Sequence, residues 1–129
     1  MKVRALYRPE VVSADPDEAL ADAAGRMQYQ EIGSVAVMEH GRLIGILTER
    51  DLARALADGI DPFETPVRSY MTEEPLLTVT PETDAGRVAA TMLEQGVRHL
   101  PVLEGGQVIG MVSARDLLSL EAWNTIGAR

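Results

Sequence analysis

The sequence predicts an α+β fold built from two copies of a β-α-β-β-α unit, and three observations predict it. The chain aligns with itself at a fixed offset through most of its length. Inside each copy, apolar residues switch between helical spacing and short β-rich runs. With 129 residues, 46% hydrophobic but only 4% aromatic, the chain has enough aliphatic material for one compact core without staples.

The repeat comes first, because it fixes the architecture. A shift of 65 positions lays Pro16–Leu56 on Pro81–Glu121 without a gap, and twelve of the 41 pairs are identical. They include Met27/Met92, Val37/Val102, Gly41/Gly106, Ile44/Ile109, Gly45/Gly110, Arg50/Arg115, Asp51/Asp116 and Leu52/Leu117. This is a tandem duplication of a unit about 60 residues long. The expected boundaries are 1–66 for the first repeat with its lead-in and 67–129 for the second with a short tail.

Each unit opens with an extended stretch, Val11–Ser13 or Leu77–Val79, then a proline, Pro16 or Pro81. Proline suits a first helical turn, where its missing N–H costs nothing, and Asp15 and Thr80 precede it as N-caps. The first helix carries the stripe Ala19, Leu20, Ala23, Ala24, Met27, and its counterpart carries Ala85, Val88, Ala89, Met92, Leu93. Two β-rich runs follow, Ser34–Met38 with Leu43–Leu47 and His99–Leu103 with Val108–Val112. The turns Glu39-His40-Gly41-Arg42 and Glu104-Gly105-Gly106-Gln107 make each pair a hairpin. Gly45 and Gly110 in mid-strand mark a close approach of another backbone or a ligand, and Pro101 an edge or a bulge. A second helix starts at Thr48 or Ser113. Residues 57–76 read as a packed connector, because Ile60, Phe63, Val67, Tyr70 and Met71 are spaced through it.

Composition also excludes function classes. There is no cysteine, which removes disulfides, thiol nucleophiles and Cys-ligated zinc. Two histidines, His40 and His99, leave no metal-ligand spacing and no recognisable catalytic constellation, so no enzyme is expected. A net charge of −8 repels a phosphate polymer, so no nucleic acid is expected. No apolar run is long enough for a membrane span, and no signal peptide opens the chain. Cytoplasmic residence is the corresponding expectation.

The recurring motif is Gly45-Ile46-Leu47-Thr48-Glu49-Arg50-Asp51 and Gly110-Met111-Val112-Ser113-Ala114-Arg115-Asp116. A hydroxyl leaves a strand and caps a helix, with a carboxylate three residues on. That pattern is also a capping box, an entirely structural device. The mid-strand glycine and the repetition of the whole motif are what raise a binding role.

This motif, closing a β-α-β-β-α unit, resembles the ligand signature of CBS (cystathionine β-synthase) domains. Tyr70-Met71-Thr72 and Val97-Arg98-His99-Leu100-Pro101-Val102 resemble the family as well. The resemblance covers residues 11–121 and occurs twice, so the chain looks like a tandem CBS pair, a Bateman module. It implies an α/β sandwich-like arrangement, two repeats packed sheet to sheet with pseudo-twofold symmetry. Two clefts between them would bind an adenosine-containing ligand: AMP, ADP, ATP or S-adenosylmethionine. Asp116 and Asp51 would take the ribose hydroxyls, and Ser113 and Thr48 would contact ribose or phosphate. The adenine slot would comprise Ile32, Gly33, Met111 and Val12 with Asp116, and Val97, Ile46 and Leu76 with Asp51. Taken singly, each of these apolar residues reads as plain core before it reads as a ligand contact.

The copies differ where Arg98-His99 replaces Gly33-Ser34. Arg98, His99 and Arg115 make a local basic site fit for a phosphate, the alternatives being a solvated Arg98 and a satisfied strand His99. The Asp116 cleft is therefore expected to take the phosphorylated ligand. The bound nucleotide would be regulatory, with no catalytic cofactor. Apolar sides of the later helices (Leu52, Ala55, Leu56 and Leu117, Leu118, Leu120) predict a homodimer through helices. A separate regulated protein is the further expected partner. The rival reading is a ligand-independent dimerisation or protein-interaction module on the same fold.

Overall fold

In the computed structural model, residues 1–73 and 76–118 are described. The elements are β1 (Ser13–Ala14), α1 (Leu20–Gln30), β2 (Ser34–Glu39), β3 (Arg42–Thr48), α2 (Glu49–Ala57), α3 (Ala85–Gln95), β4 (His99–Glu104) and β5 (Gln107–Ser113). Residues 114–118 are helical. Short 3-10 turns stand at Val3–Ala5 and Val67–Ser69. The chain divides into two compact units, Val12–Leu76 and Met1–Val11 with Leu77–Arg129.

In the Val12–Leu76 unit, β1 runs parallel to β2 and β2 antiparallel to β3. The two β2–β3 turn residues have positive φ, His40 at 53° and Gly41 at 75°, which matches the right-handed twist of a two-residue hairpin. Leu20, Ala23 and Met27 of α1 close over Val35, Val37 and Leu47, with Val67 and Met71 completing the core. Ala55 is buried in that same core. Of the apolar side expected on α2, only Leu56 is free, at 70% exposure.

The other unit repeats the plan. β4 and β5 form the hairpin, and Val79 bridges parallel to Val102 where β1 pairs with Val37 in the first unit. Val88 and Met92 of α3 pack on Leu100, Val102 and Val112. Pro101 lies within β4, and the ladder shifts register at the next position, Val102/Leu103.

Both helices begin later than the prolines imply. Pro16 and Pro81 are buried in turns, and α1 and α3 start four residues beyond them. Asp15 caps the preceding turn by accepting from Asp17 N–H, and Thr80 N–H is bonded to the Thr83 hydroxyl. Asp84 is the side-chain cap of α3, accepting from Gly86 N–H, whereas Ala19, placed in the stripe by its spacing, is the side-chain-less cap of α1. Leu93 also leaves the stripe, at 85% exposure, and Phe63 of the connector faces outward.

The lead-in does not stay with the first repeat. Val3 N–H bonds Thr83 O and Arg4 N–H bonds Pro81 O, so Met1–Val11 packs with the second copy's helix and hairpin. Val67 and Arg68 do the same for the first copy, through Glu18 O and Pro16 O. The two 3-10 turns are therefore counterparts, and the repeat extends further toward the N-terminus than the gapless alignment shows. Val3 and Val67 are both fully buried. Arg68 meets Asp17 at 3.4 Å and Glu39 at 2.7 Å, while Arg4 pairs with Glu82 and, at 3.7 Å, with Glu104.

The expected close approach at the mid-strand glycines is real in both units. A Cβ at Gly45 would meet Met71 S at 2.9 Å and Thr72 O at 3.1 Å. One at Gly110 would overlap the Arg8 carbonyl. Backbone just beyond each 3-10 turn bridges to the residue after each glycine, Thr72 to Ile46 and Arg8 to Met111.

Candidate functional site

Each candidate site is a corner where a strand ends and a helix begins. Thr48 closes β3 and caps α2: its hydroxyl accepts from Asp51 N–H at 3.3 Å and donates to Asp51 Oδ2 at 3.0 Å. The same oxygen accepts from Thr48 N–H at 2.9 Å, completing a capping box. The structural reading of the motif is therefore correct as far as it goes. Asp51 is 3% exposed, a low value for a carboxylate, and burial on this scale requires full hydrogen bonding. Thr72 supplies the rest, its hydroxyl 3.2 Å from Oδ1 and 3.4 Å from Oδ2, with Arg54 Nη2 3.5 Å from Oδ1. Arg54 itself is held by Tyr70, donating to its carbonyl at 2.9 Å and lying 5.5 Å from the ring centroid.

The second corner shares the backbone frame with a sparser set of partners. Ser113 N–H donates to Asp116 Oδ2 at 2.9 Å, and Asp116 N–H returns to Ser113 Oγ at 3.1 Å. Asp116 is half-buried.

The structure also brings the basic residues to this corner. Ala114 N–H donates to Arg98 O at 2.8 Å, and His99 is the cross-strand partner of Ser113. Arg115 is exposed one residue before Asp116. In the first corner Glu49 N–H donates to Gly33 O, and Ser34 pairs with Thr48. The substitution of Gly33-Ser34 by Arg98-His99 is thus a change of charge at one defined place beside the hydroxyl and carboxylate.

The apolar candidates divide between the units. Met111 belongs to the unit of Asp116, and Ile46 and Leu76 to that of Asp51. Ile46 is buried, with its backbone bonded both ways to Thr72. Val12, Ile32 and Gly33 lie in the Val12–Leu76 unit and Val97 in the other. Val12 and Ile32 pack against their own unit's core, and so does Val97, so each has the structural role its spacing also allowed.

Two residues at these corners, Arg54 and Arg8, escape motif reading, and Thr72, though part of the Tyr70-Met71-Thr72 motif, is not legible there as a partner of Asp51. Thr72 and Arg8 bridge to Ile46 and Met111, the aligned residues of the two copies, so they are counterparts. Their positions differ by 64 rather than 65, and this one-residue slip hides them from a gapless alignment. Among the described residues, no cluster of His, Cys, Asp or Glu could hold a metal ion. No described helix is long and apolar enough to cross a membrane.

Comparison with known proteins agrees with this architecture. An uncharacterized protein of Methanopyrus kandleri, MK0525, is 32% identical over 126 residues; the match covers 95% of this chain, which spans 64% of that relative's length. The crystal structure of a CBS domain protein, NE2398, superposes with a TM-score of 0.84 at 35% identity, covering 88% of each chain. The CBS domain pair of MJ0100, solved in complex with 5′-methylthioadenosine and S-adenosyl-L-methionine, superposes with a TM-score of 0.87 over 96% of this chain and 98% of its own. At 24% identity that likeness is one of fold. The CBS domain model matches residues 3–58 and 67–122, its two starting points falling on the paired 3-10 turns, and the chain belongs to the CBS domain family as a tandem pair.

Proposed function

We propose that the chain is a non-catalytic regulatory module that takes an adenosine-containing ligand, AMP, ADP, ATP or S-adenosylmethionine, through its two strand-to-helix corners. The observation that carries this reading is the second corner. A carboxylate fixed by backbone N–H keeps acceptor capacity, and Arg98, His99 and Arg115 stand at neighbouring backbone positions in a chain of net charge −8. An ionised carboxylate is acceptor-only and takes two O–H donors, as a ribose cis-diol requires. In this reading Asp116 and Asp51 hold ribose, and Ser113 and Thr48 contact ribose or phosphate. Arg98, His99 and Arg115 neutralise phosphate, and Met111 and Ile46 with the remaining apolar residues contact adenine. That another pair of this fold is described with methylthioadenosine and S-adenosylmethionine supports the ligand class.

A thermal-shift panel tests the reading. Ligand at a hundredfold excess over Kd stabilises by about 2.7 kcal/mol, on the order of 10 °C for a domain of this size. A shift with any of the four is expected, and none with all four would contradict it. The accompanying proposals are cytoplasmic residence, no nucleic-acid partner, a separate regulated protein and a homodimer through helices. Exposed Leu56, Tyr29 and Leu93 on three helices support the last. The dimer alone would suffice for a ligand-independent interaction module, which a negative panel would favour.

A further inference from the structure

The two corners share a backbone frame, yet their carboxylates stand in different states. Asp51 is buried, and both its oxygens are engaged: Oδ2 by Thr48 N–H and hydroxyl, Oδ1 by the Thr72 hydroxyl at 3.2 Å and Arg54 at 3.5 Å. A ribose diol would offer this carboxylate the same kind of donor that Thr72 already supplies. In the other unit the residue at the Thr72 position is Arg8, which bridges Met111 through its backbone as Thr72 bridges Ile46. Arg8 carries no hydroxyl, and no ion pair joins it to Asp116. Ser119, beyond the described residues, is what the sequence offers in place of Arg54.

We propose that Thr72 sets which corner takes ligand: its hydroxyl occupies the Asp51 carboxylate as an internal stand-in for ribose, so the adenosine ligand binds at Asp116 alone. This rests on the ribose reading above and narrows it from two corners to one, naming the residue that makes the difference. Displacing Thr72 would cost a charge-assisted hydrogen bond in a buried setting, which is worth tenfold or more in affinity. Intramolecular competition of this kind lowers apparent affinity without altering the ligand's own contacts. Arg8, which stands at the Thr72 position of the other unit, supplies no such hydroxyl at Asp116.

Calorimetric titration of the full chain with S-adenosylmethionine and with AMP tests the proposal through stoichiometry. The wild type should bind one ligand per chain, and Asp116→Ala should remove saturation in the wild-type concentration range. Thr72→Val, which keeps the shape and removes the hydroxyl, should raise the count to two. Thr72→Val with Asp116→Ala should bind one. Thr72→Ser, which restores the donor, should return to one. Two sites in the wild type, or one site surviving Asp116→Ala, would overturn the proposal while leaving the adenosine reading in place. An unchanged count in Thr72→Val would do the same. No binding in any variant would instead remove the adenosine reading, and the proposal with it. If Thr72→Val proves unfolded by its melting curve, the wild-type and Asp116→Ala titrations alone decide between one corner and two.

Discussion

At Asp116 one carboxylate oxygen accepts from the Ser113 N–H, and the group retains acceptor capacity beyond that bond. Asp116→Ala should therefore weaken the preferred adenosine ligand roughly ten- to a hundredfold, the worth of about 1.5–3 kcal/mol for a hydrogen bond to a charged group. Some loss of stability should accompany it, since Asp116 also serves the helix start. Calorimetry and a ligand-free melting curve separate the two effects, and unchanged affinity would remove the ribose role. The basic residues make a different prediction. Replacing Arg98-His99 by Gly-Ser should weaken AMP far more than adenosine, because only AMP presents a phosphate. Equal losses for the two would show that the pair shapes the corner without holding an anion. Asp51 behaves differently from Asp116 because its partners come from Thr72 and Arg54, 21 and three residues along the chain.

The elements carry the duplication into stability. Helix α1 ends at Glu31 with φ 56°, where the matching end of α3 has Gly96 at φ 66°. A side chain in left-handed backbone costs about 1 kcal/mol relative to glycine. Glu31→Gly should accordingly raise the unfolding free energy by about that amount, measured by urea denaturation; a fall would show that Glu31 makes compensating contacts. The 3-10 turns give a second test. Val67 is fully buried in one core and Val3 in the other. Truncating either to Ala should cost about 2 kcal/mol through lost burial and a residual cavity. Acid should loosen the Val3 segment too. Hydrogen bonds from Arg4 and Lys2 hold the Glu82 carboxyl below its ordinary range. A depressed carboxyl favours the folded state at pH above that range, and the contribution is lost as pH falls through the folded value. Hydrogen exchange at the Arg4 amide should therefore accelerate on acidification relative to Glu82→Gln, after correction for intrinsic rates. Equal protection in both at all pH values would contradict the linkage.

The hairpins, the αβ order and the close approach at Gly45 and Gly110 were legible in the sequence because the repeat shows each of them twice. The helix starts were misplaced because Pro16 and Pro81 fit a buried turn as well as a first helical turn. The exchange of lead-in segments was not legible at all. It depends on which hairpin edge a short extended segment joins, and no local propensity encodes that choice. Thr72 went unread as a partner of Asp51 for the same reason.

For the whole molecule, net charge −8 with Arg98, His99 and Arg115 near one another in the second corner's backbone fits a small anionic ligand better than a phosphate polymer. Tyr29 at 86%, Leu93 at 85% and Leu56 at 70% exposure are large apolar side chains on three helices that the proposed helix-mediated homodimer would cover. Light scattering should therefore give twice the 14.0 kDa chain mass at micromolar concentration, and the chain mass itself would contradict a homodimer. The central claim is that the ribose of an adenosine ligand is held by a strand-to-helix carboxylate of this pair. Its most direct test is calorimetric titration of AMP, ADP, ATP and S-adenosylmethionine into the wild type and into the Asp51→Ala, Asp116→Ala double variant. The account predicts saturable binding of at least one ligand by the wild type and none by the folded double variant; equal affinity in both would contradict it.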